Sequence, residues 1–141
     1  MNTATRHALS AYVRTGIESA IPEADPHQLV MMLFDGALAA IADARLNMIR
    51  GQIPARGKAI SKAMSIIDQG LKCSLDMKRG GELAERLHAL YEYICEKLFD
   101  ANVKGKPEAL DEPAKLLGEL QDAWAQIGKQ PSGLQLVGER S

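Results

Sequence analysis

Residues 27–44 are the most constraining stretch of the chain, because they leave almost no polar face for a surface helix. The stretch reads HQLVMMLFDGALAAIADA, with apolar runs at 29–34 and 37–42. A surface helix of a small protein usually carries an apolar stripe about 100° wide, with polar residues opposite. Asp35 and Gly36 interrupt the stretch, which is also too short for a membrane span of about 20 apolar residues. It therefore predicts a helix that is covered on more than one side.

The composition is that of one ordinary folded domain. The chain has 141 residues, of which 46% are apolar, 25% are charged and 4% are aromatic. This length supports one core rather than two domains. Since aromatic residues are scarce, Leu, Ile, Ala and Met must fill that core. The formal net charge of -1 argues against a nucleic-acid partner, because phosphate binding normally requires a basic surface.

Capping signals and apolar spacing predict four helices and no strands. Asp25, Pro26 and Gln28 supply the cap, the first turn and the capping box of a helix that ends at Gly51. The four helices are predicted over residues 26–50, 54–78 (or from 56), 82–103 and 109–127. Short connections make sequential helices antiparallel neighbours. The sequence therefore predicts an all-α, antiparallel up-and-down four-helix bundle.

The bundle domain is predicted to span residues 25–128. Residues 1–24 are expected to be a movable N-terminal segment that is too short to hold a helix alone. Its apolar face is formed by Leu9, Tyr12, Val13 and Ile17. Residues 129–141 contain the Gly, Pro and Ser of a flexible tail. The N-terminal region has no apolar signal-peptide core, so we expect the protein to stay in the cytoplasm.

Two of the predicted helices have more apolar residues than one buried stripe requires. In the first helix the inward stripe is predicted to be Leu29, Leu33, Ala37, Ala40, Ile41 and Ala44. The flank beside it is then Val30, Met31, Phe34 and Leu38. The second helix has one stripe, of Ile60, Met64, Ile67, Leu71 and Leu75. In the third helix a core stripe of Leu83, Leu87, Leu90, Ile94 and Leu98 has beside it a second stripe of Ala84, Tyr91, Cys95 and Phe99.

The surplus apolar residues have two explanations. They are either buried on several sides within the bundle, or they line a groove between the first and third helices. Such a groove would accept an amphipathic helix of a partner.

Patterns of residues that could form a catalytic or metal-binding site are incomplete in this sequence. Glu85 and His88 have the Glu-x-x-His spacing of iron or manganese sites, but those sites need the pattern on two helices and it occurs once here. The three histidines are too scattered for a zinc set, and a phosphate-binding glycine loop is missing. Cys73 and Cys95 lie in apolar helical patterns and are expected to be free thiols. We therefore expect no catalytic residue, no metal and no cofactor, and a protein that is not an enzyme.

Several motifs resemble the flagellin export chaperones of the FliS family. They are PHQLVMMLFDGAL at 26–38, SLD and GGELA within 74–84, LYEY and AN within 90–102, and Trp124 with Ile127. The resemblance extends from about Tyr12 to Ile127. One residue departs from the pattern, because Phe34 precedes Asp35 where relatives often have Tyr.

The resemblance implies a cytoplasmic four-helix chaperone that binds the disordered C-terminal segment of flagellin, prevents its premature polymerisation and aids its export. The segment would fold on binding and cover the apolar flank. In this family a short N-terminal piece with a tyrosine covers part of the groove of the empty chaperone, and the matching residue is Tyr12. The predicted partner-binding residues are Tyr12, Ile17, Val30, Met31, Phe34, Leu38, Tyr91 and Phe99.

Other partners and functions stay open on the sequence alone. The flagellar export apparatus and other flagellar regulators are further candidate partners, and neither nucleic-acid binding nor membrane insertion is expected. The alternative function is a generic helical adaptor or regulatory bundle that binds another amphipathic helix. A carboxylate metalloenzyme is the third class, and metal analysis of the purified protein would test it.

Overall fold

The computed structural model describes residues 25–128, and four α-helices account for most of them. Helix α1 spans Pro26–Ile49, and α2 spans Ile53–Ser65 and continues into a π-helical turn, Ile66–Leu71. Helix α3 spans Gly81–Lys104, and a 3-10 turn, Pro107–Leu110, leads into α4, Asp111–Ile127. These described residues contain no strand. The predicted all-α four-helix bundle is confirmed.

The start of α1 shows how local sequence determines a helix boundary. Asp25 Oδ1 accepts a hydrogen bond from the Gln28 amide at 2.8 Å, and the Asp25 amide donates to Gln28 Oε1 at 3.2 Å. Pro26 occupies the first helical position, where a missing N–H leaves no hydrogen bond unmade. The chain leaves α1 through Gly51, whose φ of 70° suits glycine. The predicted capping box and both ends of this helix are confirmed.

The core takes more of α1 than one stripe. All six residues of the predicted inward stripe are buried. Val30 and Phe34 are buried as well, and Phe34 is only 1% exposed. Met31 and Leu38 are partly buried and pack against the core. Of the two explanations for the surplus apolar residues, burial within the bundle therefore applies to Val30 and Phe34, because the core contacts α1 over more than a single stripe.

Helix α3 turns a different face inward from the one predicted. Ile94 and Leu98 are buried as expected, but Leu83 is 48% exposed, and Leu87 and Leu90 are only partly buried. The buried face consists of Ala84, Tyr91, Ile94, Leu98 and Ala101. This face is centred between the two predicted stripes and takes residues from both. The prediction centred the buried face of α3 on the leucine-rich stripe, and this is wrong.

The second helix does not run regularly to residue 78 as predicted. Its hydrogen bonding changes at Ile66 to a π-helical pattern that ends at Leu71. Ile60, Ile67, Leu71 and Leu75 of its predicted stripe are buried, whereas Met64 is only partly buried. Gly70 lies against α1 so closely that a Cβ there would be 2.9 Å from Leu33 Cδ2. The π-helical turn thus packs directly on the first helix.

Side-chain contacts tie α1 to α4 at both ends. His27 Nε2 lies 2.8 Å from the Trp124 carbonyl oxygen, and Trp124 Nε1 donates to the His27 carbonyl at 3.2 Å. At the opposite end Arg45 forms an ion pair with Asp111 at 2.7 Å. The start of α1 thus contacts the end of α4, and the end of α1 contacts the start of α4. The two helices are therefore antiparallel. No helix among residues 25–128 is long and apolar enough to cross a membrane.

Gly105 and Gly118 offer a matched pair of stability tests. Gly105 ends α3 with a φ of 66°, and a Cβ there would lie 2.8 Å from Arg56 Nη1. Gly105→Ala should lower the free energy of unfolding by about 1 to 2 kcal/mol, because a side chain disfavours this left-handed conformation. Gly118→Ala lies within α4 and meets no atom within 4 Å. It should raise stability by about 0.5 to 1 kcal/mol. Urea denaturation measures both, and changes of equal sign would contradict the assigned conformations.

Candidate functional site

An open groove lies between α2 and α3. Ser61, Met64, Ser65, Asp68 and Cys95 line a cavity of about 480 Å³ in this groove. The first four lie on α2 and its π-helical turn, and Cys95 lies on α3. Cys95 Sγ approaches the Met64 carbonyl oxygen at 3.7 Å, so the two helices are in contact at the lining of the cavity. We call this cavity, together with the exposed apolar residues of α3 that adjoin it, the α2–α3 groove.

Polar contacts hold the two helices together on either side of the cavity. Near the start of α2, Arg56 donates to the Asn102 side chain at 3.1 Å and to its carbonyl at 3.0 Å. Beyond the other end of the cavity, Lys72 pairs with Asp68 at 2.6 Å and approaches Glu92 at 4.0 Å. Small side chains such as Ser61 and Ser65 face the space between these ties. The helices are therefore fixed relative to each other while the groove between them stays open.

The α3 wall of the groove carries an exposed apolar stripe. Cys95, Phe99 and Val103 follow one another at four-residue spacing, which places them on one face of the helix. Phe99 is 57% exposed and Val103 is 71% exposed. Such a stripe beside a cavity is typical of a surface that another chain covers. The half of the groove next to Phe99 and Val103, which we call its upper half, is therefore apolar along α3.

The end of the groove next to the π-helical turn, which we call its lower end, is charged. The hydrogen bond that Lys72 donates to Asp68, followed by the charges of Asp68 and Glu92, raises the pKa of Lys72 despite its partial burial. His88 Nδ1 lies 3.2 Å from Glu92 Oε1. Asp68, Lys72 and Glu92 form a chain of alternating charges between the π-helical turn and α3. They pair with each other and so limit the apolar surface at this end.

Both cysteines are free thiols. Burial raises the pKa of Cys95 to about 11 and also raises the pKa of Cys73. Cys73 Sγ approaches the Asp68 carbonyl oxygen at 3.4 Å. Since the thiolate is the nucleophilic form, neither thiol is activated at neutral pH. The cavity therefore lacks an activated nucleophile at Cys95.

Cys95 provides a test of the groove's environment. In a Cys73→Ser variant, the rate of Cys95 alkylation by N-ethylmaleimide should be low at pH 8, where only roughly one thiol in a thousand is ionised. The rate should rise about tenfold per pH unit until it levels off near a pKa of about 11. A small free thiol provides the control and levels off near pH 9, about its ordinary pKa. A Cys95 rate that levels off with the control would contradict the desolvated environment.

The six described residues of the predicted site do not form one surface. Val30, Phe34 and Tyr91 lie in the core, and the rings of Phe34 and Tyr91 are 6.5 Å apart. Phe99 is largely exposed, in the α2–α3 groove. Between the first and third helices the side chains of Phe34 and Tyr91 therefore meet inside the core, as in the first of the two explanations for the surplus apolar residues. Whether these residues contact a partner stays a prediction.

The other predicted site residues have different positions. Met31 and Leu38 are partly buried on α1. Tyr12 and Ile17 lie outside the described residues. Met64 and Cys95 were not predicted as site residues, although the second stripe of the third helix already contained Cys95. The sequence alone did not show that this stripe borders a groove, because that depends on which face of α3 the core buries.

The Glu-x-x-His pattern does not assemble a metal site in the described part of the chain. Glu85 is exposed, and His88 pairs with Glu92 instead. Residues 25–128 contain no group of three or more metal-ligating side chains placed to hold an ion.

Comparison with known proteins identifies the family. The family model described as flagellar protein FliS matches residues 8–131, which is most of the chain. The chain belongs to the FliS family. The flagellar secretion chaperone FliS of Salmonella typhimurium is 44% identical over 91% of this chain and 95% of its own length. The FliS of Escherichia coli is 40% identical over 89% and 92%, and the FliSB of Pseudomonas aeruginosa is 43% identical over 83% and 92%.

The family match confirms the resemblance that the motifs indicated. It contains the whole α2–α3 groove, and it also contains Tyr12 and Ile17. The FliS region ends at residue 131, so most of the predicted tail lies beyond it.

Proposed function

We propose that this FliS protein is an export chaperone that binds the disordered C-terminal segment of flagellin in the α2–α3 groove. The export role follows from the family, since the relatives are flagellar secretion chaperones. The observation that supports the location is the exposure of Phe99 and Val103 beside the cavity. A bound segment would be kept from polymerising before export.

The shape of the groove suits a helical segment. An apolar stripe at four-residue spacing on α3 matches the ridge of a second helix laid beside it. Burial of apolar area stabilises such a complex by about 25 cal/mol per Å². This gain must exceed the several kcal/mol that ordering a disordered segment costs. The exposed side chains of Phe99 and Val103 provide apolar area for this purpose.

We assign the protein a binding role and no catalytic one. The raised pKa of Cys95 makes its thiol a poor nucleophile, and the charged groups at the lower end of the groove pair with one another. An export chaperone meets its partner before export, so its proposed site of action is the cytoplasm. The flagellar export apparatus and other flagellar regulators stay candidate partners.

Residues 1–24 are proposed to act as a cover that competes with the flagellin segment, with Tyr12 and Ile17 on its apolar face. Deleting residues 1–20 should then increase the association rate of the segment, because release of the cover no longer precedes binding. Stopped-flow fluorescence measures this rate, and circular dichroism checks that the helices persist. An unchanged association rate, or a loss of helicity, would contradict the proposed cover.

The proposed function is tested by titrating the full chain into a labelled peptide of the flagellin C-terminal segment. We expect saturable binding with a gain of helical circular dichroism. The controls are a scrambled peptide of the same composition and an unrelated amphipathic helix. Equal binding of all three peptides would favour the generic adaptor, and absence of binding to the flagellin peptide would contradict the proposal.

A further inference from the structure

The three most exposed large apolar side chains of residues 25–128 lie at one end of the bundle. Ile49 ends α1 and is 67% exposed, and Ile53 begins α2 and is 62% exposed. Val103, near the end of α3, is 71% exposed and also borders the groove. Single exposed apolar residues are ordinary on a protein surface. Their concentration at one place indicates a surface that contacts something apolar.

Direct contacts bring these parts of the chain together. A short turn joins the end of α1 to the start of α2. Arg56, in the first turns of α2, donates to the Asn102 side chain of α3 at 3.1 Å. Arg45, near the end of α1, donates to the Pro107 carbonyl at 3.1 Å. We call this end of the bundle the bundle tip, and it consists of residues 45–58 and 103–107.

The bundle tip is basic. It contains no Asp or Glu, although the whole chain has a formal net charge of -1. The acidic residues closest to it in sequence are Asp43, Asp100 and Glu108. Two of its six basic residues are held by polar contacts, Arg45 by Asp111 and Arg56 by Asn102. The other four are exposed and form no ion pair with another described residue, and they are Arg50, Lys58, Lys104 and Lys106.

We propose that the bundle tip docks the protein on an anionic lipid surface. Ile49 and Ile53 enter the boundary between the headgroups and the acyl chains, and the exposed basic side chains contact the lipid phosphates. Apolar and basic side chains combine in this way where proteins lie on a membrane surface. Each Lys or Arg near an anionic surface adds to the attraction. This docking does not depend on flagellin binding in the groove.

The shape of the tip favours a lipid surface over a protein partner. Ile49 and Ile53 stand on either side of a short turn, which passes through Gly51 with a φ of 70°. A turn at the end of a bundle is convex. A protein partner would need a matching concave surface, whereas lipid headgroups rearrange around a protruding side chain.

The segments outside the described residues do not begin beside the tip. Asp25 and Gly128 are the first and last described residues. They adjoin the contact of His27 with Trp124, where the start of α1 meets the end of α4. The bundle tip lies at the opposite end of α1.

The test is cosedimentation of the full chain with phosphatidylglycerol vesicles and, separately, with phosphatidylcholine vesicles. We expect binding to the anionic phosphatidylglycerol and little binding to the neutral phosphatidylcholine. Added salt should weaken the binding, because salt screens the charges. Ile49→Ser combined with Ile53→Ser should weaken it about tenfold through lost apolar burial. Arg50→Glu combined with Lys106→Glu should weaken it by about tenfold or more through lost attraction to the phosphates.

Lys78→Glu combined with Arg79→Glu is the matched control for the charge variant. Both residues are exposed in the loop that joins α2 to α3 at the opposite end of the bundle, and the change in net charge is the same. This control should bind the vesicles like the wild type. All three variants should keep the unfolding midpoint in urea and the affinity for the flagellin peptide, because none of the changed residues lines the cavity of the groove.

Four results would overturn the inference. The first is equal binding to both kinds of vesicle, or binding to neither. The second is an equal loss in the Lys78 and Arg79 control, since net charge would then control the binding. The third is a tip variant that loses flagellin-peptide binding and keeps vesicle binding, which would assign the tip to the flagellin site. The fourth is capture of a polyglutamate peptide by the tip without vesicle binding, which would assign the tip to an acidic protein surface.

Discussion

Leu98→Ala is expected to lower the free energy of unfolding by about 2 to 5 kcal/mol. Leu98 is completely buried in the C-terminal part of α3, where it belongs to the main apolar cluster. Removing its three outer carbons loses apolar burial and leaves a cavity that the surrounding helices fill only in part. Urea denaturation followed by circular dichroism measures the loss. Without urea, where the variant is still folded, we expect it to bind the flagellin peptide.

Leu87→Ala on the same helix is the control for this prediction. Leu87 is only partly buried, so part of its side chain is already solvated. The loss of stability should be clearly smaller than for Leu98→Ala. Equal losses at the two positions would mean that the buried face of α3 is assigned wrongly.

Phe99→Asp is expected to weaken capture of the flagellin peptide by about 100-fold, because a carboxylate is desolvated in the complex without a partner. Phe99 is the neighbour of Leu98 but is 57% exposed. Its replacement should therefore change the stability of the free protein by no more than about 0.5 kcal/mol. Fluorescence anisotropy with a labelled peptide measures the affinity, and urea denaturation measures the stability.

Leu46→Asp provides the matched control for Phe99→Asp. Leu46 is an exposed leucine on α1, outside the α2–α3 groove. The same charge placed there should leave peptide affinity unchanged. Normal binding by Phe99→Asp would contradict the groove. An equal loss in Leu46→Asp would show that net charge, rather than position, controls the affinity.

Helix boundaries were predictable from the sequence where they depend on neighbouring residues. The cap formed by Asp25 and Gln28 needs atoms within one turn, so the local sequence contains the whole interaction. Gly105 likewise ends α3 because its own backbone adopts a left-handed conformation. Both features depend on the local sequence and can be predicted without any tertiary contact.

The position of the groove was not predictable in the same way. Helical spacing shows which residues share a face, but it does not show which neighbouring helix covers that face. For Phe34 and Tyr91 the spacing left both burial and a groove open, and the structure has them meet in the core from facing helices. The π-helical turn after Ser65 brings Gly70 close to Leu33, which is far from it in sequence. The α2–α3 groove follows from these distant contacts.

The most direct test of groove binding is amide chemical-shift mapping by NMR, with the labelled chain and the unlabelled flagellin C-terminal peptide. Binding in the α2–α3 groove should produce the largest shift changes at 57–68 of α2 and its π-helical turn and at 91–103 of α3. Met31 and Leu38 of α1 should change less, because they lie outside the groove. The largest changes on the Met31 and Leu38 face of α1, with little change along Cys95 and Phe99, would contradict binding in the groove.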